Sequence, residues 1–337
     1  MSAHSAMDEP VTSLSASPDM LLTELFLEEL TQPVPQEADS IAAAIQRRHG
    51  EAVDAVLFYG SCLWTQQMTD AVLDFYVLVR SYRAAYEKPI LRWLNALLPP
   101  NVFYLEIGHG PQTLRAKYAV ISTADFEQAT TPRSIPAIIW ARFCQPARLV
   151  YARDSVVQER VAQATAQAAL TFIRRAVLFF ASADGDLPIP SADLWHTGFQ
   201  ETYRTEFRTE RPETIRALYR ASPERYDQIA RFGLQRLEQQ RVFDLQEQGG
   251  QWTLSMPLLQ RWTRRCGWTL RRSLAKVLYA LRLFKTTLTF GDWLPYVLWK
   301  LGRHTGVWVE LSERQRRYPL IWGWPVLFKL LRQRALR

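Results

Sequence analysis

Cysteine is scarce in this chain: three among 337 residues, at positions 62, 144 and 266, odd in number and far apart. That excludes a disulfide framework and the paired spacing of a zinc site, and it points to a reducing compartment. The five histidines add nothing to this, since His109, His196 and His304 show no ligand spacing among themselves. Long apolar runs are missing too. No uninterrupted stretch reaches the roughly 18 apolar residues of a spanning helix. The opening "MSAHSAMDEPVTSLSASPDM" has neither the apolar stretch of a signal peptide nor the Arg-rich character of an organelle presequence. The expectation is a cytoplasmic protein, soluble or bound peripherally to the inner membrane. Internal repeats and low-complexity tracts are absent as well.

Acidic residues run short in one region only. Residues 261–337 hold 17 basic and 3 acidic residues, a balance of +14, whereas residues 1–260 hold 24 against 30, so the net charge of +8 is a C-terminal property. Eight of the 12 tryptophans lie at or beyond Trp252, which makes the basic region aromatic too.

What is present is an ordinary globular balance, 48% hydrophobic and 22% charged, in a chain long enough for more than one domain. Helices are expected around "MLLTELFLEELTQ" and around "ADSIAAAIQRRHG", the latter opened by Asp39-Ser40 and closed by Gly50. From Val53 the pattern changes to short apolar runs, "VDAVLFYG", "VLDFYVLV", "NVFYLEIG" and "LRAKYAVIS". These read as four strands of a mixed sheet, with "SYRAAYEKPILRWLNALLPP" as a helix between the second and third. After Ser122 the periodicity is helical, including "ATTPRSIPAIIWARFCQPARLVY", apart from a hairpin over "RVFDLQEQGGQWTLSM" that turns at Gly249-Gly250. The expected class is α+β: a mixed sheet with flanking helices, followed by a mostly α-helical C-terminal region.

One acid breaks the pattern. Asp74 sits inside "VLDFYVLV", an otherwise apolar strand, shortly after the Gly60-Ser61 pair that ends the preceding one. Nucleotidyl transfer uses such a pair of features. A glycine-serine turn lets triphosphate oxygens approach backbone N–H groups, and a carboxylate on the neighbouring strand holds Mg²⁺. Nucleotidyltransferases of the polymerase-β type place a second acid two positions after the first, where this chain has Tyr76, so Glu106 on the next strand is the candidate second ligand. Lys117 shares a strand face with Arg115 and is placed to offset triphosphate charge. The structural alternatives are a buried aspartate bonded to backbone, a solvated Glu106 and a snorkelling strand-edge lysine.

The segments "FYGSCLW", "VLDFYVLV", "KYAVIST" and "ARFCQPARLV" occur in the order and at about the spacing found in mitochondrial-type phosphatidate cytidylyltransferases, the translocator assembly and maintenance family, and the chain resembles a bacterial-like member of it. The resemblance covers about residues 53 to 155 well. Composition and periodicity give a flexible N-terminus (1–18), a helical domain over 125–255 and a basic aromatic extension over 256–337; the resemblance makes the α/β domain over 19–124 nucleotidyltransferase-like. By position it implies Gly60, Ser61, Lys117 and Tyr118 for nucleotide binding, Asp74 and Lys117 for catalysis, and Asp74 as the Mg²⁺ ligand. The implied reaction joins CTP and phosphatidic acid into CDP-diacylglycerol and pyrophosphate. Cys62 and Ala119 depart from the family's glycines, and Ala147 stands near its Lys-Pro-Val.

An anionic membrane surface is the expected partner of the C-terminus, and no nucleic acid is expected. "LRRSLAKVLYALRLFKTTL" carries Leu270, Leu274, Val277, Leu278 and Leu281 on one stripe, and "PLIWGWPVLFKLLRQRALR" sets tryptophans among basic residues. A solvated helical bundle accounts for the first of these equally well. An RNA acceptor, or a non-catalytic descendant that binds nucleotide or lipid, stands as the alternative function.

Overall fold

The computed structural model describes residues 17–65, 71–108, 113–180, 188–205, 212–249 and 251–289. Helix α1 (Pro18–Leu30) starts where its sequence says it should: the Ser17 hydroxyl accepts the Met20 N–H at 3.4 Å, and Pro18 takes the first helical position. Helix α2 (Gln36–His49) opens at Gln36, ahead of the expected Asp39-Ser40, and ends at Gly50 with φ of +56°.

Strand β1 (Val53–Tyr59), helix α3 (Ser61–Thr65), strand β2 (Val72–Val79), helices α4 (Tyr82–Ala85) and α5 (Pro89–Leu97), and strands β3 (Asn101–Ile107) and β4 (Leu114–Ser122) follow. All four expected strands are there. The one helix expected between the second and third is two, because Pro89 lacks the N–H to continue α4 and instead begins α5. Helices α6 (Thr123–Thr130) and α7 (Trp140–Phe143) lead to strand β5 (Ala147–Ala152), a strand where the periodicity after Ser122 predicts helix. The physical reason is its place at the sheet edge. It has six residues, five of them only partly buried, so its apolar alternation is faint. β1 is buried at every position and needs a ladder on both sides, which β5 completes.

The sheet order is β3-β4-β2-β1-β5, with β2 and β4 parallel and every other pair antiparallel. Its fifth strand lies beyond residue 124, so the expected boundary falls inside one sheet. Alternation divides the side chains between two cores. Val56, Phe58, Leu73, Phe75, Val77 and Tyr118 pack on the side of α2. Leu57, Tyr59, Tyr76, Leu78 and Ile121 pack on the other. That second core continues without interruption into helices α8 (Ser155–Ala176), α9 (Ser191–Tyr203), α10 (Pro212–Ala221) and α11 (Pro223–Gln239), and on to the hairpin of β6 (Asp244–Gln248) and β7 (Gln251–Ser255). The hairpin is where the sequence placed it; Gly250 of its turn lies outside the described residues.

A buried ion pair ties the sheet to the helices. Arg225 of α11 is paired with Glu29 of α1, Glu29 Oε1 accepts the Ala147 N–H at 3.2 Å, and Arg225 Nη1 donates to the Cys144 carbonyl at 3.1 Å. Three elements far apart in sequence meet at one carboxylate.

Helix α12 (Leu258–Thr289) turns its cations inward. Arg282 Nε donates to the Pro99 carbonyl at 2.8 Å, and Lys285, only 4% exposed, donates to the carbonyls of Leu98 and Pro100. The stripe expected from sequence faces outward instead, with Leu270 64% and Leu281 51% exposed. The segment "PLIWGWPVLFKLLRQRALR" lies outside the described residues. No described helix is long and apolar enough to cross a membrane.

Candidate active site

The bend after β1 is made by Gly60, whose φ of +95° is a conformation that side chains resist. A Cβ built there would lie 3.2 Å from Asp74 Oδ2, so the carboxylate rests directly against the bend. The register explains the proximity: Asp74 is opposite Tyr59 on β1 and opposite Lys117 on β4. The acid is therefore tolerated inside an apolar strand for two reasons. It stands near the strand's start, with its side chain 28% exposed, and Lys117 Nζ is 3.2 Å from Oδ1.

Asp74 Oδ1 is nevertheless shielded from solvent and makes no aligned hydrogen bond among the described residues. Lys117 is within ion-pair distance of that oxygen, but not in hydrogen-bonding alignment. A shielded carboxylate oxygen with its hydrogen-bonding capacity unspent is what a cation ligand requires. Mg²⁺ is commonly held by one or two carboxylates together with substrate phosphates. Among the described residues no group of three or more His, Cys, Asp or Glu is placed to hold a metal.

The other expected residues divide. Ser61 opens α3 at an exposed position immediately after the bend. Glu106 shares the Asp74 face but is drawn elsewhere: it accepts from Tyr104 Oη at 2.5 Å and from Arg115 Nε at 3.1 Å. It stands on β3, two strands from Asp74 on β2, and pairs with Arg115 on the intervening β4, so it is not brought together with Asp74. Tyr118 is adjacent to Lys117 in sequence, and alternation sends it to the opposite face. There it is fully buried and stacks on Phe103 at 5.4 Å, burial pushes its phenol up to about 12, and its hydroxyl has no hydrogen-bond partner among the described residues. It sits in the α2-side core, away from the bend.

One cation near the bend was not singled out from sequence. Arg142 of α7 places its guanidinium 5.0 Å from the centre of the Tyr59 ring, the residue preceding Gly60. The signal available was only a basic residue, the first arginine of "ARFCQPARLV". Arg142 and Lys117 are cations of this corner among the described residues, and Asp74 is an acid beside them.

Comparison of the chain with protein-family profiles and with curated proteins finds no match in either.

Proposed function

We propose that the chain is a nucleotidyltransferase, and specifically one that transfers a cytidylyl group from CTP to phosphatidic acid. The observation that carries the first part is the contact between Asp74 and the Gly60 bend. The substrate assignment rests on the four ordered segments of the sequence. In this reading a phosphate oxygen of phosphatidic acid attacks the α-phosphorus of CTP. The bond from that phosphorus to the oxygen bridging it to the β-phosphorus breaks, and pyrophosphate leaves with the electron pair. Mg²⁺, held by Asp74 and the phosphates, would supply charge neutralisation at the transferred group. The Gly60-Ser61 bend orients the phosphates, and Lys117 and Arg142 offset charge as it develops on pyrophosphate. The outward leucines of α12 support a peripheral membrane location, where a lipid acceptor is within reach.

The test is pyrophosphate release from each nucleoside triphosphate with Mg²⁺ and vesicles containing phosphatidic acid. CTP should be turned over, and Asp74→Ala should abolish turnover while leaving cooperative unfolding intact. Full activity in a folded Asp74→Ala protein removes the proposal.

The pairing of Lys117 with Asp74 favours a second reading, a non-catalytic descendant in which the lysine stands in for the metal. Its mark is CTP binding that is indifferent to Mg²⁺ and yields no pyrophosphate.

A further inference from the structure

A second concentration of positive charge lies away from the bend, where helix α8 ends in Arg174 and Arg175 and the first turns of α12 pack beside it. Arg175, Arg261, Arg264, Arg265 and Arg272 line one cavity there, of about 280 Å³. Its one carboxylate among the described lining residues, Glu201 of α9, is already paired with Arg204 and stands 3.9 Å from Arg272. The cavity therefore holds a surplus of guanidinium groups. Part of that surplus is absorbed by carbonyls, since Arg175 Nη2 donates to Pro132 at 2.7 Å. Burial, followed by the neighbouring Arg271, Arg174 and Arg264, lowers Arg175 to about 10. One wall is aromatic. Trp268 meets Phe179 edge-on at 6.0 Å, and its Nε1, shielded from solvent, has no hydrogen-bond partner among the described residues.

Arginine and indole nitrogens only donate. A hollow lined by donors and excess positive charge is complementary to a phosphate group, which only accepts and which guanidinium matches in charge and geometry.

We propose that this cavity binds a phosphate-bearing ligand through Arg264, Arg265 and Arg272. The volume is at the lower bound of small-molecule sites, roughly 300 Å³, so it takes one mono- or diphosphate group and not a whole nucleotide. That group belongs either to a free anion or to a lipid headgroup. The site does not depend on nucleotidyl transfer at Asp74.

The experiment uses the full chain and two probes, inorganic pyrophosphate followed by calorimetry, and phosphatidylcholine vesicles with and without phosphatidic acid followed by flotation. The proteins compared are the unsubstituted chain, the double variant Arg264→Gln/Arg265→Gln, and Asp74→Ala. Measured without Mg²⁺, so that the Asp74 corner does not hold pyrophosphate, binding of at least one probe should weaken about tenfold or more in the double variant, as expected for lost charge-assisted hydrogen bonds, and should be unchanged in Asp74→Ala. Pyrophosphate binding identifies a soluble anion as the source. Binding confined to phosphatidic acid vesicles identifies a headgroup. The proposal is overturned if neither probe binds, if the double variant keeps full affinity, or if Asp74→Ala loses it. Arg264 also lies 4.9 Å over the Phe243 ring. If the double variant does not unfold cooperatively, the exposed Arg265→Gln alone repeats the comparison, and a several-fold weakening is then expected. Asp74→Ala with normal turnover and normal pyrophosphate binding would remove the nucleotidyltransferase reading and leave this site standing.

Discussion

Lys117 Nζ and Asp74 Oδ1 are 3.2 Å apart, and the two residues are register partners on adjacent parallel strands. A parallel ladder thus sets a base beside an acid at the mouth of the Gly60 bend. Their side chains are 38% and 28% exposed, which limits the pair's contribution to stability to about 1 kcal/mol or less. Its value is in positioning.

Lys117→Met should accordingly leave the denaturation midpoint nearly unchanged, while pyrophosphate release falls by about 10²-fold or more, as for loss of a charge-stabilising group. Denaturant titration and a turnover assay on the same preparation check this. Equal losses of stability and activity would make the pair structural.

Gly60→Ala should act on both. A non-glycine residue at φ of +95° is strained by about 1 to 3 kcal/mol. The new Cβ also meets Asp74 Oδ2 at 3.2 Å and must push the carboxylate aside. Lower thermal stability together with lost turnover is expected. An alanine variant with normal turnover would show that the bend's close approach to Asp74 is not needed.

Arg225→Met should be among the most damaging single changes. It leaves the Glu29 carboxylate buried without its partner and the Cys144 carbonyl without its donor. Removing one member of a buried pair costs about 3 to 5 kcal/mol. Urea denaturation measures it. A loss below about 1 kcal/mol would place the pair among those open to solvent.

The pH dependence is expected to follow His49. Burial holds its imidazole below the usual 6.5, against the Ala85 carbonyl, which raises it, and with Arg48 lowering it further. Tyr86 and Tyr118 pack around the ring. The folded state therefore keeps His49 neutral where the unfolded chain already binds a proton, so stability is full above that value and falls as the solution is acidified through it. Melting temperature should drop from about pH 8 to about pH 5, with a shallower slope in His49→Phe. An identical slope in the variant would assign the effect to other groups.

Leu274→Asp with Leu281→Asp should release the protein from anionic vesicles without lowering its melting temperature, because both side chains are exposed and the inward face of α12 is untouched. Retained flotation, or a lowered melting temperature, would show that α12 meets protein and not lipid.

Much of the fold is written locally. The four strands from Val53 to Ser122 and the hairpin before Ser255 carry their periodicity in plain apolar alternation. β5 does not, since an edge strand of half-buried residues is defined by what it pairs with. The site divides along the same line. A glycine at a strand end and an acid in the next strand are visible as residues. Whether Glu106 joins them depends on Arg115 and Tyr104, which claim it across β4.

The sequence by itself determined the strand periods, the Gly60 bend, the acid at position 74 and the basic C-terminal balance, because each is a matter of residue type and spacing along one segment. Only the tertiary structure decided that Lys117 faces Asp74 while Tyr118 turns away, that Arg142 reaches Tyr59, and that α12 turns Arg282 and Lys285 inward and presents Leu270 and Leu281. Those outcomes depend on strand order, register and helix rotation, which are fixed by the packing of segments remote in the chain.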